Sequence, residues 1–171
     1  PRDAGYRLLL GDIYMKSGRF ESARATYAHV LELDPANVRA GLSLALMQIA
    51  LGRPQAALAQ LDSLAGRAGV ADLGLAYALA GMPERAIEIL EPAARALSAS
   101  PRLRQNLALS YALAGNWQRA RAVAAQDISP ADLAPRMQQW AALANPRNDR
   151  PNQVASLLGI TPVQDAGQPV R

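Results

Sequence analysis

The sequence predicts an all-α protein made of repeated helix pairs, and two observations support this fold class. The segment Leu75–Gly81 reads LAYALAG and the segment Leu109–Gly115 reads LSYALAG, so nearly the same stretch recurs after 34 residues. A period of about 20–50 residues is typical of proteins that stack similar structural units. Aromatic residues make up only 5% of the chain, and small side chains with few aromatics favour closely packed helices over sheets.

Three columns of residues define the repeat. The first is a glycine spaced at intervals of 34, 29 and 34 residues, at Gly18, Gly52, Gly81 and Gly115. The second is an alanine five positions later, at Ala23, Ala57, Ala86 and Ala120. The third is a tyrosine four positions before the glycine, at Tyr14, Tyr77 and Tyr111, with Gln48 in its place once. The agreement of the three columns indicates four copies of one unit.

The first copy, LLLGDIYMKSGRFESARATYAHVLELDP, resembles the tetratricopeptide repeat. The matching residues are Leu10, Gly11, Tyr14, Gly18, Phe20, Ala23, Tyr27 and Pro35. The resemblance implies a right-handed superhelix of about four helix pairs plus a C-terminal capping helix. In such an array the first helix of each pair lines the concave wall.

The physical chemistry of the small residues agrees with this resemblance. Gly11 and its counterparts (Ala45, Gly74 and Ala108) allow the two helices of a pair to approach closely. Gly18 and its counterparts are expected to end each first helix in a backbone conformation that β-carbons resist.

The expected organisation has three parts. Residues 1–128 hold four repeats, at about 3–36, 37–66, 67–100 and 101–128. The second repeat lacks five residues around Ala65–Asp72, which predicts a shortened second helix there. Residues 129–145 form a capping helix, and residues 146–171 form a hinge, a short helix and a tail.

The capping helix is predicted from SPADLAPRMQQWAALANP. Ser129 is a favourable N-cap and Pro130 fits the first helical position. Apolar residues fall on one face at Leu133, Met137, Trp140, Leu143 and Ala144. A terminal repeat would otherwise expose its apolar side, so this helix is expected to cover it.

The last segment is expected to be the most mobile. Asn145–Pro151 has the composition of a hinge, and NQVASLLGI predicts a short helix. TPVQDAGQPVR is expected to be a loose tail. The apolar residues that would let this segment dock elsewhere are Val154, Leu157, Leu158 and Ile160.

Composition and motifs argue against several function classes. The formal charge of +4 comes from scattered arginines without a basic run, so no nucleic-acid partner is expected. The chain has no cysteine, and its single histidine, His29, has no acid or nucleophile spaced to serve it. No catalytic, phosphate-binding or metal-binding motif occurs, so no enzyme, cofactor or metal is expected. The longest apolar run, Gly41–Gly52, is too short to span a bilayer.

The repeat register predicts a partner-binding groove on the first helices. The inward positions are Leu8, Asp12, Met15 and Lys16 in the first repeat, Arg39, Leu42, Leu46 and Ile49 in the second, Leu75 and Leu79 in the third, and Arg102, Gln105, Asn106, Leu109 and Leu113 in the fourth. This wall is mostly aliphatic in its middle, and an apolar groove favours an amphipathic helix or an extended apolar segment.

Chaperone-binding members of the family hold a peptide carboxylate with lysine and asparagine side chains. The corresponding slots here hold Leu8, Asp12, Leu42 and Leu46, so that clamp is not expected. The alternative to an external partner is that the protein's own tail or a second copy covers these leucines.

A narrower resemblance rests on the last third of the chain. NLALSYALAGNWQRARAVAAQDISPADLAPRMQQWAALANP and QVASLLGITPVQDAGQP, between Asn106 and Pro169, are similar to the TadD family. These are tetratricopeptide lipoproteins of the tight-adherence (Flp) pilus assembly system of Gram-negative bacteria.

That resemblance implies a pilotin-like protein at the periplasmic face of the outer membrane that helps to assemble the secretin. The partner would be the secretin or another pilus component. Contact with the membrane would be through a lipid-bearing cysteine upstream of Pro1. The alternatives are a cytosolic or periplasmic repeat chaperone or adaptor for an exported substrate, and a regulatory repeat domain of a larger protein.

Overall fold

The computed structural model of the chain describes residues 3–145 and 150–168, without the side chains of residues 150–152. The described residues form helices and connecting segments with no β-strand, which confirms the all-α prediction. The helices are α1 (Ala4–Lys16), α2 (Phe20–Leu33), α3 (Val38–Ala50), α4 (Pro54–Ser63), α5 (Val70–Leu79), α6 (Pro83–Ala94), α7 (Pro101–Leu113), α8 (Trp117–Ala124), α9 (Pro130–Leu143) and α10 (Arg150–Leu158).

The first helices of the pairs have N-terminal caps and C-terminal turn glycines. Three of the four first helices begin after side chains that accept backbone N–H groups, namely Asp3 before α1, Asn37 before α3 and Ser100 before α7, whereas α5 begins after Gly69. The four glycines of the repeat column all have positive φ, for example +73° at Gly18 and +79° at Gly115. Each first helix therefore ends where its turn needs a left-handed residue.

The two helices of a pair approach closely at the predicted small residues. A β-carbon at Gly11 would lie 2.6 Å from the ring of Tyr27 on α2. A β-carbon at Gly74 would overlap the side chain of Leu90 on α6. Glycine at these positions lets Tyr27 and Leu90 become fully buried between the paired helices.

The chain forms two compact units. In the first unit, α1 packs on α2, α2 on α3 and α3 on α4, while α10 packs on α3. The second helix of this unit's second pair, α4, has 10 residues, compared with 14 in α2. The helix α4 is thus shorter than α2, as expected before Asp72, although α8, in a repeat that lacks no residues, is shorter still, with 8 residues.

The second unit contains α5 to α9. Here α5 packs on α6, and α7 contacts α5, α6 and α8, while α9 lies against α7 and α8. Ser129 caps α9 by accepting the N–H of Asp132, and Pro130 occupies the first helical position. Leu133 and Trp140 are the buried residues of α9, so the predicted amphipathic helix on the last pair is confirmed.

The expectation of a loose C-terminal tail is wrong for Thr161–Gln168. After the predicted short helix, α10, this segment is hydrogen-bonded to the turn between α1 and α2 and to α2 itself. The N–H of Val163 donates to the carbonyl of Gly18, and the side-chain amide of Gln168 donates to the hydroxyl of Thr26. Most of the predicted hinge, at residues 146–149, lies outside the described residues.

Candidate functional site

The predicted groove residues fall into two groups, one in each unit. Eight of them lie on α1 and α3 in the first unit: Leu8, Asp12, Met15, Lys16, Arg39, Leu42, Leu46 and Ile49. The other seven lie on α5 and α7 in the second unit: Leu75, Leu79, Arg102, Gln105, Asn106, Leu109 and Leu113.

In the first unit, the charged groove residues pair with each other. The carboxylate of Asp12 on α1 forms an ion pair with the guanidinium of Arg39 on α3. The hydroxyl of Tyr27 also donates to Asp12, at 2.8 Å. Burial, followed by the contact with Asp12, raises the pKa of Tyr27 far above its ordinary value, so the phenol stays protonated as the donor. Asp12 is therefore occupied by two internal partners.

The second unit repeats this arrangement. Arg102 on α7 pairs with the carboxylate of Asp72 on α5. Arg39 and Arg102 occupy the same place in the repeat, 13 residues before the turn glycine. Asp72 was not among the predicted groove residues, because its position in the repeat differs from that of Asp12. An arginine at this position thus links one first helix to the preceding first helix in both units.

Four predicted groove residues are buried inside the protein. Ile49 is 1% exposed, Leu79 3%, Leu109 4% and Asn106 8%. The amide of Asn106 donates to the carbonyl of Ala71 at 2.8 Å, so it connects α7 to α5. These four side chains offer little surface to a partner and act in packing between helices.

The aliphatic groove residues that remain partly exposed are Leu8, Met15, Leu42, Leu46, Leu75 and Leu113. They lie on the first helices of all four pairs, as the repeat register predicts. Lys16 is exposed at the end of α1. Both polar atoms of the Gln105 side-chain amide are buried without a hydrogen-bond partner.

The helix α10 adds a contact to this site that the repeat pattern does not contain. It packs on α3, the helix that carries Leu42 and Leu46, and its own Val154 and Ala155 are buried. Val154 is one of the four apolar residues of the last segment that, from the sequence, could let it dock elsewhere in the protein. Leu157, by contrast, remains 41% exposed.

The titratable side chains in the described part of the chain do not cluster as metal ligands. No group of three histidine, cysteine or acidic side chains is placed to hold a metal ion there. His29 is an exposed residue of α2. Among the same residues, no helix has the length and apolar character needed to cross a membrane.

Comparison with known families identifies the repeats. Models of the tetratricopeptide repeat match residues 8–72 and residues 101–126, which together are more than half of the chain. The chain is a tetratricopeptide repeat protein. The first match spans α1 to α4, and the second spans α7 and α8. Repeats of this family form scaffolds for protein–protein interaction, so a protein partner is implied. Searches among curated proteins and among solved structures return no match.

Proposed function

We propose that this tetratricopeptide repeat protein is a pilotin-like assembly factor of a tight-adherence (Flp) pilus. In this role it holds an apolar segment of the outer-membrane secretin at the periplasmic face of the membrane. The family of the repeats supports the general part of the proposal, a protein-interaction scaffold. The similarity of residues 106–169 to the TadD lipoproteins supports the pilus part.

The observation that carries the proposal is the partly exposed aliphatic surface of the first helices. Leu42 and Leu46 are one helical turn apart on α3, so they lie on one face. Leu75 is partly exposed on α5 in the second unit. An apolar partner segment that covers the leucines of either unit removes them from water, which favours binding in proportion to the area covered.

The electrostatics of the site favour an apolar segment over a charged one. Asp12 and Arg39 form one internal ion pair, and Asp72 and Arg102 form another. A partner carboxylate at Arg39 or Arg102 would have to compete with these existing pairs. A short apolar segment makes no such demand.

The helix α10 bears on how such a segment would bind. Because α10 packs on α3, a partner that needs the whole of α3 has to displace it, whereas a partner on the free face does not. We propose that the partner binds the free face of α3, since Leu42 and Leu46 stay partly exposed with α10 in place.

The test is capture of purified secretin fragments by the unmodified chain and by three variants. Leu46→Arg and Leu75→Arg place a charge on the predicted groove, and Gln118→Arg places the same charge at an exposed site on α8. Each buried leucine contributes roughly 1.5–3 kcal/mol, so we expect each groove variant to weaken capture by about tenfold or more. The Gln118 variant should bind normally.

The outcomes separate the two parts of the proposal. If the groove variants melt normally and still capture the secretin, the groove is not the site, although the pilus role stands. If the unmodified chain binds no component of the pilus machinery, the pilus role fails. The precursor sequence gives a second check, because the lipid anchor requires a signal peptide followed directly by a cysteine. A precursor without one would favour a chaperone or adaptor.

A further inference from the structure

The helix α10 belongs to the first unit, although it follows the second unit in the chain. It lies outside the four helix pairs and packs on α3, the first helix of the second pair. We call the surface of α3 under α10 the seat. The C-terminal segment, Thr161–Gln168, follows α10 after two residues and is hydrogen-bonded to α2. These two elements therefore attach to the first unit at two separate places.

The contact at the seat is apolar and small. Val154 and Ala155 are 1% and 4% exposed, whereas Ser156 is exposed and Leu157 is 41% exposed. The described side chains of α10, Gln153–Leu158, carry no charge. An isolated helix of nine residues is not stable in water, so α10 keeps its helical form through the seat. The seat therefore holds a short amphipathic helix by few apolar side chains.

The helix under the seat favours an uncharged ligand. Arg39 is the only charged residue of α3, and its guanidinium already pairs with Asp12. The remaining residues of α3 are apolar or neutral, so this helix offers no further charge to a ligand. Burying a charged side chain without a partner is costly. A helix that fits the seat therefore presents an uncharged apolar face, as α10 does.

The second attachment is a polar contact on α2, which we call the anchor. The carboxylate of Asp165 accepts the N–H and the hydroxyl of Ser22, at 2.7 and 2.9 Å. The side-chain amide of Gln168 donates to the hydroxyl of Thr26 at 2.8 Å. Because only two residues separate α10 from the C-terminal segment, the anchor keeps α10 at a high local concentration beside the seat.

The two hydroxyls of the anchor occur in the first repeat alone. Ser22 and Thr26 lie four and eight residues after the turn glycine. The corresponding residues of the other repeats carry no hydroxyl and are Ala56, Arg85 and Arg119 at the first place and Gln60, Ile89 and Val123 at the second. The other helix pairs form without these hydroxyls, so in the first repeat they serve to bind the C-terminal segment.

We infer that the seat is a second binding site of the first unit, which takes an amphipathic helix of a partner protein, and that α10 blocks it until the partner helix displaces α10. The partner helix presents an uncharged apolar face to α3. A longer helix than α10 covers more of α3 and therefore binds more strongly. The partner in the proposed groove binds with α10 in place, whereas this one binds instead of α10, and the inference does not depend on the pilus role.

Mass action favours such a partner over a second copy of the chain. A tethered helix has an effective concentration on the order of millimolar. A second copy offers the same α10 only at its much lower concentration in solution, so it does not compete with the tethered helix. A displacing ligand has to bind the seat better than α10 does.

The test measures whether α10 and a free helix compete for the seat. The probe is a fluorescein-labelled peptide of residues 150–160, which contains α10, and fluorescence anisotropy measures its binding to the full chain. We expect Val154→Arg in the chain to expel α10 and to raise the affinity for the peptide about tenfold or more, because the seat is then open. The same substitution in the peptide should abolish binding. Ser156→Arg in the chain is the matched control, since Ser156 is exposed, and it should leave the affinity unchanged.

A second variant weakens the attachment without altering α10. Asp165→Ala removes the acceptor of the anchor and should raise the affinity for the peptide about threefold or more. Gln164→Ala, at the adjacent exposed position, should not change it. The inference is overturned if neither the Val154→Arg chain nor the Asp165→Ala chain binds the peptide. It is also overturned if Asp165→Ala binds the peptide no better than the unmodified chain.

Two further measurements identify the alternatives. If Val154→Arg removes the protection of the α3 amides from hydrogen exchange, α10 is a required part of the fold of the first unit, which overturns the inference. Sedimentation tests the second copy as the occupant. A dimer of the unmodified chain that Asp165→Ala dissociates would mean that two copies exchange α10 and the C-terminal segment, and this result also overturns the inference.

Discussion

The carboxylate of Asp165 caps the first turn of α2, 143 residues earlier in the chain. Its Oδ2 atom accepts the backbone N–H of Ser22 at 2.7 Å, and its Oδ1 atom accepts the hydroxyl of Ser22 at 2.9 Å. The helix itself supplies no such cap, since its N-cap residue, Arg19, makes no side-chain capping bond. The C-terminal segment therefore supplies the acceptor for N–H and O–H groups at the start of α2 that the N-cap residue of the helix does not bind.

We expect Asp165→Ala to destabilise the first unit by about 1–3 kcal/mol, because the buried donors of Ser22 then lose their acceptor. Gln164→Ala, at the adjacent exposed position, is the control and should change the stability little. Urea unfolding followed by circular dichroism measures both variants. Equal unfolding midpoints for the two variants would show that the Asp165 contact contributes nothing to stability.

The same carboxylate predicts a pH dependence. Burial alone raises the pKa of Asp165, but hydrogen bonds from Ser22 and Gly167, together with Arg19, outweigh burial and hold the pKa below its ordinary value. A carboxyl whose pKa is lowered by folding stabilises the folded state fully at pH values above its pKa in the unfolded chain, which is about 3.9. This contribution is lost as the pH falls through the pKa of the folded state.

The stability difference between the unmodified chain and Asp165→Asn should therefore be full at pH 7 and should close as the pH falls below about 4. Urea unfolding of both proteins at several pH values gives this difference directly. Asp127, whose pKa is lowered by its hydrogen bond from Arg104, titrates equally in both proteins, so its effect cancels. A difference that grows on acidification would mean that the pKa of Asp165 is raised by folding.

The Asp165 contact also marks the limit of what the sequence could predict. The helix pairs were predictable because each depends on local features, such as the positive φ of Gly18 and the close approach at Gly11. The path of the C-terminal segment depends on one contact across the chain, which has no periodicity to reveal it.

The candidate site likewise has some features that the sequence could predict and others that it could not. The register places Asp12 and Arg39 on neighbouring first helices, where the two side chains form an ion pair. It could not predict that Ile49 is buried, since burial depends on what packs around each helix. Nor could it predict that Asp72 is the partner of Arg102, because Asp72 lies at a different point of the repeat.

Two turn glycines provide a matched pair for testing the C-terminal segment. Both Gly18 and Gly115 have positive φ, so alanine costs on the order of 1 kcal/mol or more at either position. A β-carbon at Gly18 would also overlap the carbonyl oxygen of Thr161, whereas one at Gly115 meets nothing within 4 Å.

We therefore expect Gly18→Ala to lower the melting temperature more than Gly115→Ala does, and to release the segment after α10. Hydrogen exchange at the N–H of Val163, which donates to Gly18, reports that release. Equal melting temperatures for the two variants, with the N–H of Val163 protected from exchange in both, would show that a β-carbon at Gly18 does not displace the C-terminal segment.

Trp140 tests whether α9 stabilises the last helix pair. It is 5% exposed and lies seven residues after Leu133, the other buried residue of α9, so the two share the face that meets α7 and α8. Removing a buried tryptophan side chain costs about 3–5 kcal/mol. We expect Trp140→Ala to lower the stability of the second unit by that order, and Gln139→Ala, at an exposed neighbouring position, to change it by less than about 0.5 kcal/mol.

Hydrogen exchange then distinguishes a capping helix, which stabilises the last helix pair, from a helix that is attached to the pair without stabilising it. If α9 protects the last pair, Trp140→Ala should speed exchange of the buried amides of α7, such as that of Leu107, along with those of α9. The reason is that exposing the apolar side of a terminal pair weakens the pair itself. Faster exchange confined to α9 would show that α7 and α8 hold together without it, and the capping role would be lost.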